Sequence, residues 1–271
     1  MTKKQGAGKN VSNLVKILRG KSHMPASLSD NEMLQKIYHR RSVRSFTSQQ
    51  IPEDVFQAIL EAGRLAPCGV NLQSWTFIVF DQSLWRKTFD RMLPFRGSKA
   101  VMVISDTHRY RQVIEDFPYN PLTEYTIAVV NASLAAMNMN LAAEAMGVSS
   151  VMLSDTGQSG LLDAKYLQEK LDLPEGTVPL MTIVFGYAKG MYPIMPPKLP
   201  MEEVAFEGRY HSTGQTANQA WLEQTESGYN FSHPGTNFQE QLNHYENKIG
   251  QAEQDLQKMV FYKENQQKPT V

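Results

Sequence analysis

Apolar residues recur three and four apart in some stretches and form short unbroken runs in others, so the chain is predicted to pass repeatedly between helix and strand. From Asn31 to Arg41, the positions of Met33, Leu34, Ile37 and Tyr38 predict a helix that runs into a basic cluster. Pro52, followed by Val55, Phe56, Ile59 and Leu60, predicts a second amphipathic helix. It should stop near Ala66, because Pro67 biases the residue before it away from helical backbone. Trp75 to Phe80 and Ala100 to Ser105 read as buried strands, with a helix from Ser83 to Met92 between them. The segment from Thr107 to Tyr125 is rich in aromatic residues and prolines and has weak periodicity, which predicts an irregular lid or two short helices.

From Thr123 to Met146, Ile127, Val130, Leu134, Met137, Leu141 and Ala145 form a helical stripe with small residues on the other faces. Both sides of this long helix can therefore be packed, and Gly147 ends it. Val148 to Leu153, a helix from Gly160 to Leu171 and the run from Val178 to Tyr187 complete a mixed α/β core that closes near Tyr210. Beyond that point Gln and Asn become frequent, and Ser227 to Gly235 is Gly-, Ser- and Pro-bearing. The spacing of Phe238, Leu242, Tyr245, Ile249, Ala252, Leu256 and Met259 then alternates four and three like a heptad seam. Gly250 and sparse flanking charges predict an amphipathic arm lying on the protein's own body or on a partner subunit. The expected organisation is a basic N-terminal extension (1–30), a main domain (31–210) and a C-terminal helical extension (211–271).

Composition narrows the function. The 271 residues, 41% hydrophobic, are enough for one large core or two modest ones. Twenty-seven basic residues balance 27 acidic ones, which argues against nucleic acid as a partner. One cysteine fits a reducing compartment, making cytoplasm the expected location, and the start carries no apolar run of signal-peptide length. The apolar stretch from Ile127 to Met146 is interrupted by Asn131, Asn138, Asn140 and Glu144, so it reads as a core helix and no membrane is expected. No G-x-G-x-x-G follows a strand, and there is no P-loop or G-x-S-x-G elbow. The histidines are not paired at metal-ligand spacing, so no metal is expected. Cys68 has no histidine nearby in sequence and reads more readily as a packing residue than as a nucleophile.

What remains is Arg40-Arg41-Ser42-Val43-Arg44, three guanidiniums and a hydroxyl within five residues at a helix end. Planar guanidinium forks suit a phosphate, although a solvated basic helix end has the same composition. In order along the chain stand HRRSVRSF (His39 to Phe46), RLAPCGVNLQSW (Arg64 to Trp75), AAEAMGVSSVMLSD (Ala142 to Asp155), VPLMTIVFGYA (Val178 to Ala188) and PPKLPMEEV (Pro196 to Val204). With these five blocks the chain resembles the flavin-dependent nitroreductase family over roughly residues 31 to 210.

That resemblance implies an α+β fold: a nitroreductase-like three-layer α/β/α sandwich with a mixed, mainly antiparallel sheet, in an intertwined homodimer holding FMN at the interface. It implies cofactor binding by Arg40, Arg41, Ser42 and Arg44, with Arg41 and Ser42 at the phosphate and ribityl end and Arg44 at the pyrimidine edge. Lys198 is implied as a second phosphate ligand, with Pro196 standing where the family usually has a further basic residue and Lys189 as its substitute. Pro67, Cys68, Asn71 and Gln73 are implied to reach the ring and ribityl chain from the other subunit. A serine is commoner at Cys68 and a proline at Ser74. Backbone groups near Ser154 and Asp155 are implied to face flavin N5, so that no side chain acts as acid or base. Tyr119 and Tyr125 are placed over the cleft as substrate-binding residues or, alternatively, beneath the lid as packing. The implied activity is ping-pong transfer from NADH or NADPH to a nitroaromatic, quinone-like or flavin acceptor. The alternatives are a specialised member (reductive dehalogenase, enone reductase or flavin-fragmenting enzyme) and a flavin-binding protein without turnover.

Overall fold

The computed structural model describes residues 12–15, 17, 24–211, 215–233 and 235–263, so most of the basic N-terminal stretch lies outside the described residues. Helix α1 (Glu32–His39) starts where the Asn31 side chain accepts the Leu34 N–H at 2.9 Å. Helix α2 (Glu53–Arg64) follows Pro52 and ends before Pro67, as predicted. Strand β1 (Trp75–Asp81) runs directly into α3 (Gln82–Phe89), whose cap is Asp81 accepting from Leu84 N–H at 2.7 Å. After β2 (Lys99–Asp106) comes one short helix, α4 (His108–Arg111), and then the long α5 (Pro121–Ala145). Strand β3 (Ser149–Leu153), α6 (Ala164–Lys170) and β4 (Thr177–Gly186) complete the core. Of the lid or two short helices expected between Thr107 and Tyr125, a single short helix forms and α5 takes up the end of the segment.

The four strands lie in the order β1-β2-β4-β3 with every neighbour antiparallel. Along β2, Val101 and Val103 face a core with Phe56, Ile59, Ala135, Met139, Ile183 and Phe185. Met102 and Ile104 face a second core with Phe80, Trp85, Phe89, Leu153, Leu167 and Val184. Helices α2 and α5 therefore cover one face of the sheet and α3 and α6 the other, giving a three-layer sandwich. This is why these strands are apolar throughout rather than alternating.

Helix α5 is apolar all round, and 44% of its most apolar window is buried inside the protein. By length and composition it is the one helix among the described residues that reaches membrane-spanning dimensions. Its polar interruptions each have a partner. Asn131 donates to the Ser74 hydroxyl at 2.8 Å, Asn138 donates to the Ala62 carbonyl at 3.1 Å, and Asn140 accepts from the Ser150 hydroxyl. Such groups are retained in a core because each is satisfied. The small residues Ala128, Ala132, Ala135, Ala136 and Ala143 turn inward, where they let α2 and the sheet approach closely. The stripe of Ile127, Val130, Leu134 and Met137 is instead exposed on the single chain.

The chain divides into two units. One holds Ser27–Pro193 with Lys248–Val271, and the other holds Ile194–Asn247 with Met1–Ala26, in each case as far as their residues are described. The second unit contains α7 (Gln215–Ser232) and the first part of α8 (Phe238–Val260). The remainder of α8 belongs with the sheet, and there Ala252, Met259 and Val260 are buried.

Candidate functional site

The arginine turn follows α1 in extended backbone. Ser42 forms a parallel bridge with Ser150 of β3, and Val43 N–H donates to the Ser150 carbonyl at 3.0 Å. Farther on, Phe46 bridges Ala188, and Lys189 N–H donates to the Ser45 carbonyl at 2.9 Å. The turn is thus stitched to β3 and to the end of β4, with Val43 and Phe46 buried as its anchors. Arg41 Nη1 donates to the Tyr38 and Arg40 carbonyls at 2.8 Å each, which closes the end of α1. Arg40 and Arg44 have no carboxylate partner among the described residues. A cluster of cations with so little compensation is a donor set suited to a phosphate-bearing group.

Two residues that no local pattern pointed to hold this turn. The Tyr192 hydroxyl lies 3.0 Å from both carboxylate oxygens of Glu144, to which it donates, and accepts the Arg41 N–H at 3.4 Å. Burial raises the Tyr192 pKa above its usual value, and the Glu144 charge adds to this.

Strand β3 carries the geometry from the turn to the next candidate. Ser150 sits beside Ser42, and Ser154 is four residues farther along, about 13 Å at strand rise. From Ser154 the loop folds back at Gly160, where an added Cβ would meet the Leu180 carbonyl oxygen at 2.7 Å and Ser154 Cα at 2.8 Å. Only glycine fits so close a backbone approach. The Thr182 hydroxyl donates to the Ser159 carbonyl at 2.7 Å and ties the loop to the sheet.

The loop with Pro67, Cys68, Asn71 and Gln73 forms a short turn over Gly69–Asn71. Cys68 Sγ accepts the Gln73 N–H at 3.3 Å, and Val70, Asn71 and Gln73 all have positive φ. For a β-branched residue such as Val70, 93% exposed, that is a strained conformation held without burial. No hydrogen bond among the described residues joins this loop to the arginine turn. Lys198 is exposed in the other unit, next to Pro197, whose carbonyl accepts from Trp221 Nε1 at 3.3 Å.

Tyr119 and Tyr125 are engaged with the C-terminal segment. The Tyr119 hydroxyl donates to the Val260 carbonyl at 3.3 Å, its ring meets Tyr262 edge-on at 5.6 Å, and Arg111 and Lys263 lie over it at 5.3 and 5.0 Å. Tyr125 packs on the core, and its phenol pKa is pushed up to about 12, chiefly by burial. With Arg111 and the buried Glu124, which form an ion pair, they line a cavity of about 20 Å³, too small for an aromatic acceptor. Within the single chain both tyrosines pack against the C-terminal segment or the core.

The nitroreductase family model matches residues 37–187, a span that contains the arginine turn, the loop from Pro67 to Gln73 and the end of β3. The chain belongs to the nitroreductase family and is an oxidoreductase. It is 34% identical to an Archaeoglobus fulgidus protein described as NADH dehydrogenase/NAD(P)H nitroreductase, over 58% of this chain and 86% of that one. It is 29% identical to a Staphylococcus aureus NADPH-dependent oxidoreductase, over 72% of this chain and 81% of that one. Among solved structures, the NADPH:FMN oxidoreductase of Vibrio harveyi complexed with NAD+ shares the fold at a TM-score of 0.65 and 22% identity, covering 79% and 91% of the two chains.

Proposed function

We propose that the protein is an FMN-dependent NAD(P)H oxidoreductase acting as a homodimer on small aromatic or quinone-like acceptors. The observation that carries this reading is the bridge between Ser42 and Ser150. It sets the arginine-rich turn at one end of β3 and the loop from Ser154 to Asp163 at the other, a spacing suited to a phosphate-tailed ring system. FMN held there would supply the redox chemistry between NADH or NADPH and the acceptor.

The residues then divide the work. Arg40, Arg41 and Ser42 hold the phosphate and ribityl end, with Lys189 and Lys198 as further cations. Arg44 presents a fixed positive charge where reduction brings negative charge to the pyrimidine edge. Backbone N–H groups at Ser154 and Asp155 would serve the N5 side of the ring. Pro67, Cys68, Asn71 and Gln73 come from the second copy, in keeping with the lack of a hydrogen bond between them and the arginine turn among the described residues. The exposed stripe of α5 supplies contact between the copies. The cofactor-binding portion is residues 31–210, flanked by extensions at 1–30 and 211–271.

Purified protein is expected to be yellow, to bleach anaerobically with NADH or NADPH and to regain colour with a quinone. A colourless protein that takes up no added FMN defeats the proposal.

A further inference from the structure

Lys248 stands on the part of α8 that belongs with the sheet. Its ammonium pairs with Asp155 Oδ1 and lies 3.8 Å from Asp163 Oδ2. The side chains of Lys248, Asp155 and Asp163 are 29, 21 and 15% exposed, so the three charges are largely withdrawn from water. Asp155 opens and Asp163 closes the loop that follows β3, so one ammonium, hydrogen-bonded to the first and at ion-pair distance from the second, whose Oδ2 is buried without a hydrogen-bond partner among the described residues, faces both ends. A second cation, Arg91, meets this loop, and its Nη1 donates to Gln158 Oε1 at 2.8 Å. Arg91 Nε and Nη2 are buried without a hydrogen-bond partner among the described residues. Removing Lys248 therefore takes one positive charge from beside these two carboxylates.

We propose that Lys248 is a positioning residue of the cofactor site. By tying Asp155 to Asp163 it fixes the backbone at Ser154 and Asp155, and its charge offsets the carboxylates at that edge. The C-terminal helix is thereby a working part of the site. This rests on the reading that the loop faces FMN.

The test uses the full-length protein with Lys248→Met, Lys248→Arg and Asp155→Asn. Hydrogen exchange of the amides from Ser154 to Gly160 is expected to quicken at least about tenfold in Lys248→Met and in Asp155→Asn, with β2 and β4 unchanged, and to return to the wild-type rate in Lys248→Arg. The flavin reduction equilibrium is expected to fall about tenfold in Lys248→Met, a downward shift of about 30 mV for a two-electron couple. In Asp155→Asn it is expected to rise, since a negative charge is lost. Opposite potential shifts with the same loop loosening separate a charge-bearing clamp from plain packing. Unchanged exchange and potential in Lys248→Met overturn the inference. If Lys248→Met does not fold, Asp155→Asn decides it, because wild-type exchange and potential there overturn it equally. A wild-type protein that binds no FMN defeats the flavin reading alone, and the exchange experiment still decides the clamp.

Discussion

Tyr192 and Arg41 are 151 residues apart, yet the backbone N–H of Arg41 donates to the Tyr192 hydroxyl at 3.4 Å while that hydroxyl donates to Glu144. The end of α5 therefore helps set where the arginine turn begins. Tyr192→Phe removes both bonds and keeps the ring. It is expected to weaken FMN binding about threefold to tenfold, the scale of one net hydrogen bond of about 0.5 to 1.5 kcal/mol, as read by flavin fluorescence titration.

Arg41 and Arg44 should separate under mutation. Arg41 closes α1 through the Tyr38 and Arg40 carbonyls, so Arg41→Ala is expected to lower stability by about 1 kcal/mol as well as to weaken FMN binding. Arg44 has no such partner, so Arg44→Ala is expected to leave stability within about 0.5 kcal/mol of wild type and to lower the flavin midpoint potential. Urea denaturation beside spectroelectrochemistry checks both, and an unaltered potential removes Arg44 from the flavin edge.

Leu134 lies in the middle of the exposed stripe on α5. Leu134→Glu places a charge where the two copies are expected to meet, and analytical ultracentrifugation should find monomer in place of dimer. A dimer of undiminished affinity would place the interface elsewhere.

Gly160 is a steric requirement rather than a conformational one, because its backbone is extended and the obstacles are backbone atoms of Leu153, Ser154 and Leu180. Gly160→Ala is expected to cost about 1 to 3 kcal/mol, the scale of overpacking, and to lower FMN affinity through the displaced Ser154. Equilibrium unfolding and flavin titration of the variant provide the check.

Asp163 has a carboxyl pKa raised above its ordinary 3.8, first by burial, with Lys248 and Arg91 opposing and Asp155 adding to the rise. A folded-state pKa above the unfolded one means that the folded protein binds the proton more tightly, so this group's contribution to stability falls as pH rises from 3.8 through the raised value. Asp163→Asn cannot ionise and escapes that loss. Its stability relative to wild type is therefore expected to increase with pH across this window, as measured by urea unfolding at several pH values. A difference independent of pH refutes the assignment.

Much of the sandwich was legible because local signals and burial agree. WTFIVF and AVMVIS are strands packed on both faces, and Pro52, Pro67 and Gly147 mark where helices begin and end. A helical extension was expected over 211–271, but the bounds of α7 were not legible, since it runs into the Gly-, Ser- and Pro-bearing stretch that begins at Ser227. In the fold the Thr225 and Ser227 hydroxyls donate to the Trp221 and Glu223 carbonyls within their own helix, so these polar groups need no turn to satisfy them. At the site, the arginine cluster announced itself through density of charge. Tyr192 with Glu144 and Lys248 with Asp155 did not, because they are 48 and 93 residues apart and no periodicity connects them. The placement of Tyr119 was equally hidden, since its neighbours Val260 and Tyr262 lie at the far end of the chain.

The way α5 is turned has a consequence for how the protein persists in dilute solution. With its alanines committed to the sheet, the helix leaves an oily flank of Ile127, Val130, Leu134 and Met137, which the proposed homodimer would dry. In such a dimer, mass action joins durability to abundance, and each halving of the protein's concentration erodes the resistance to unfolding.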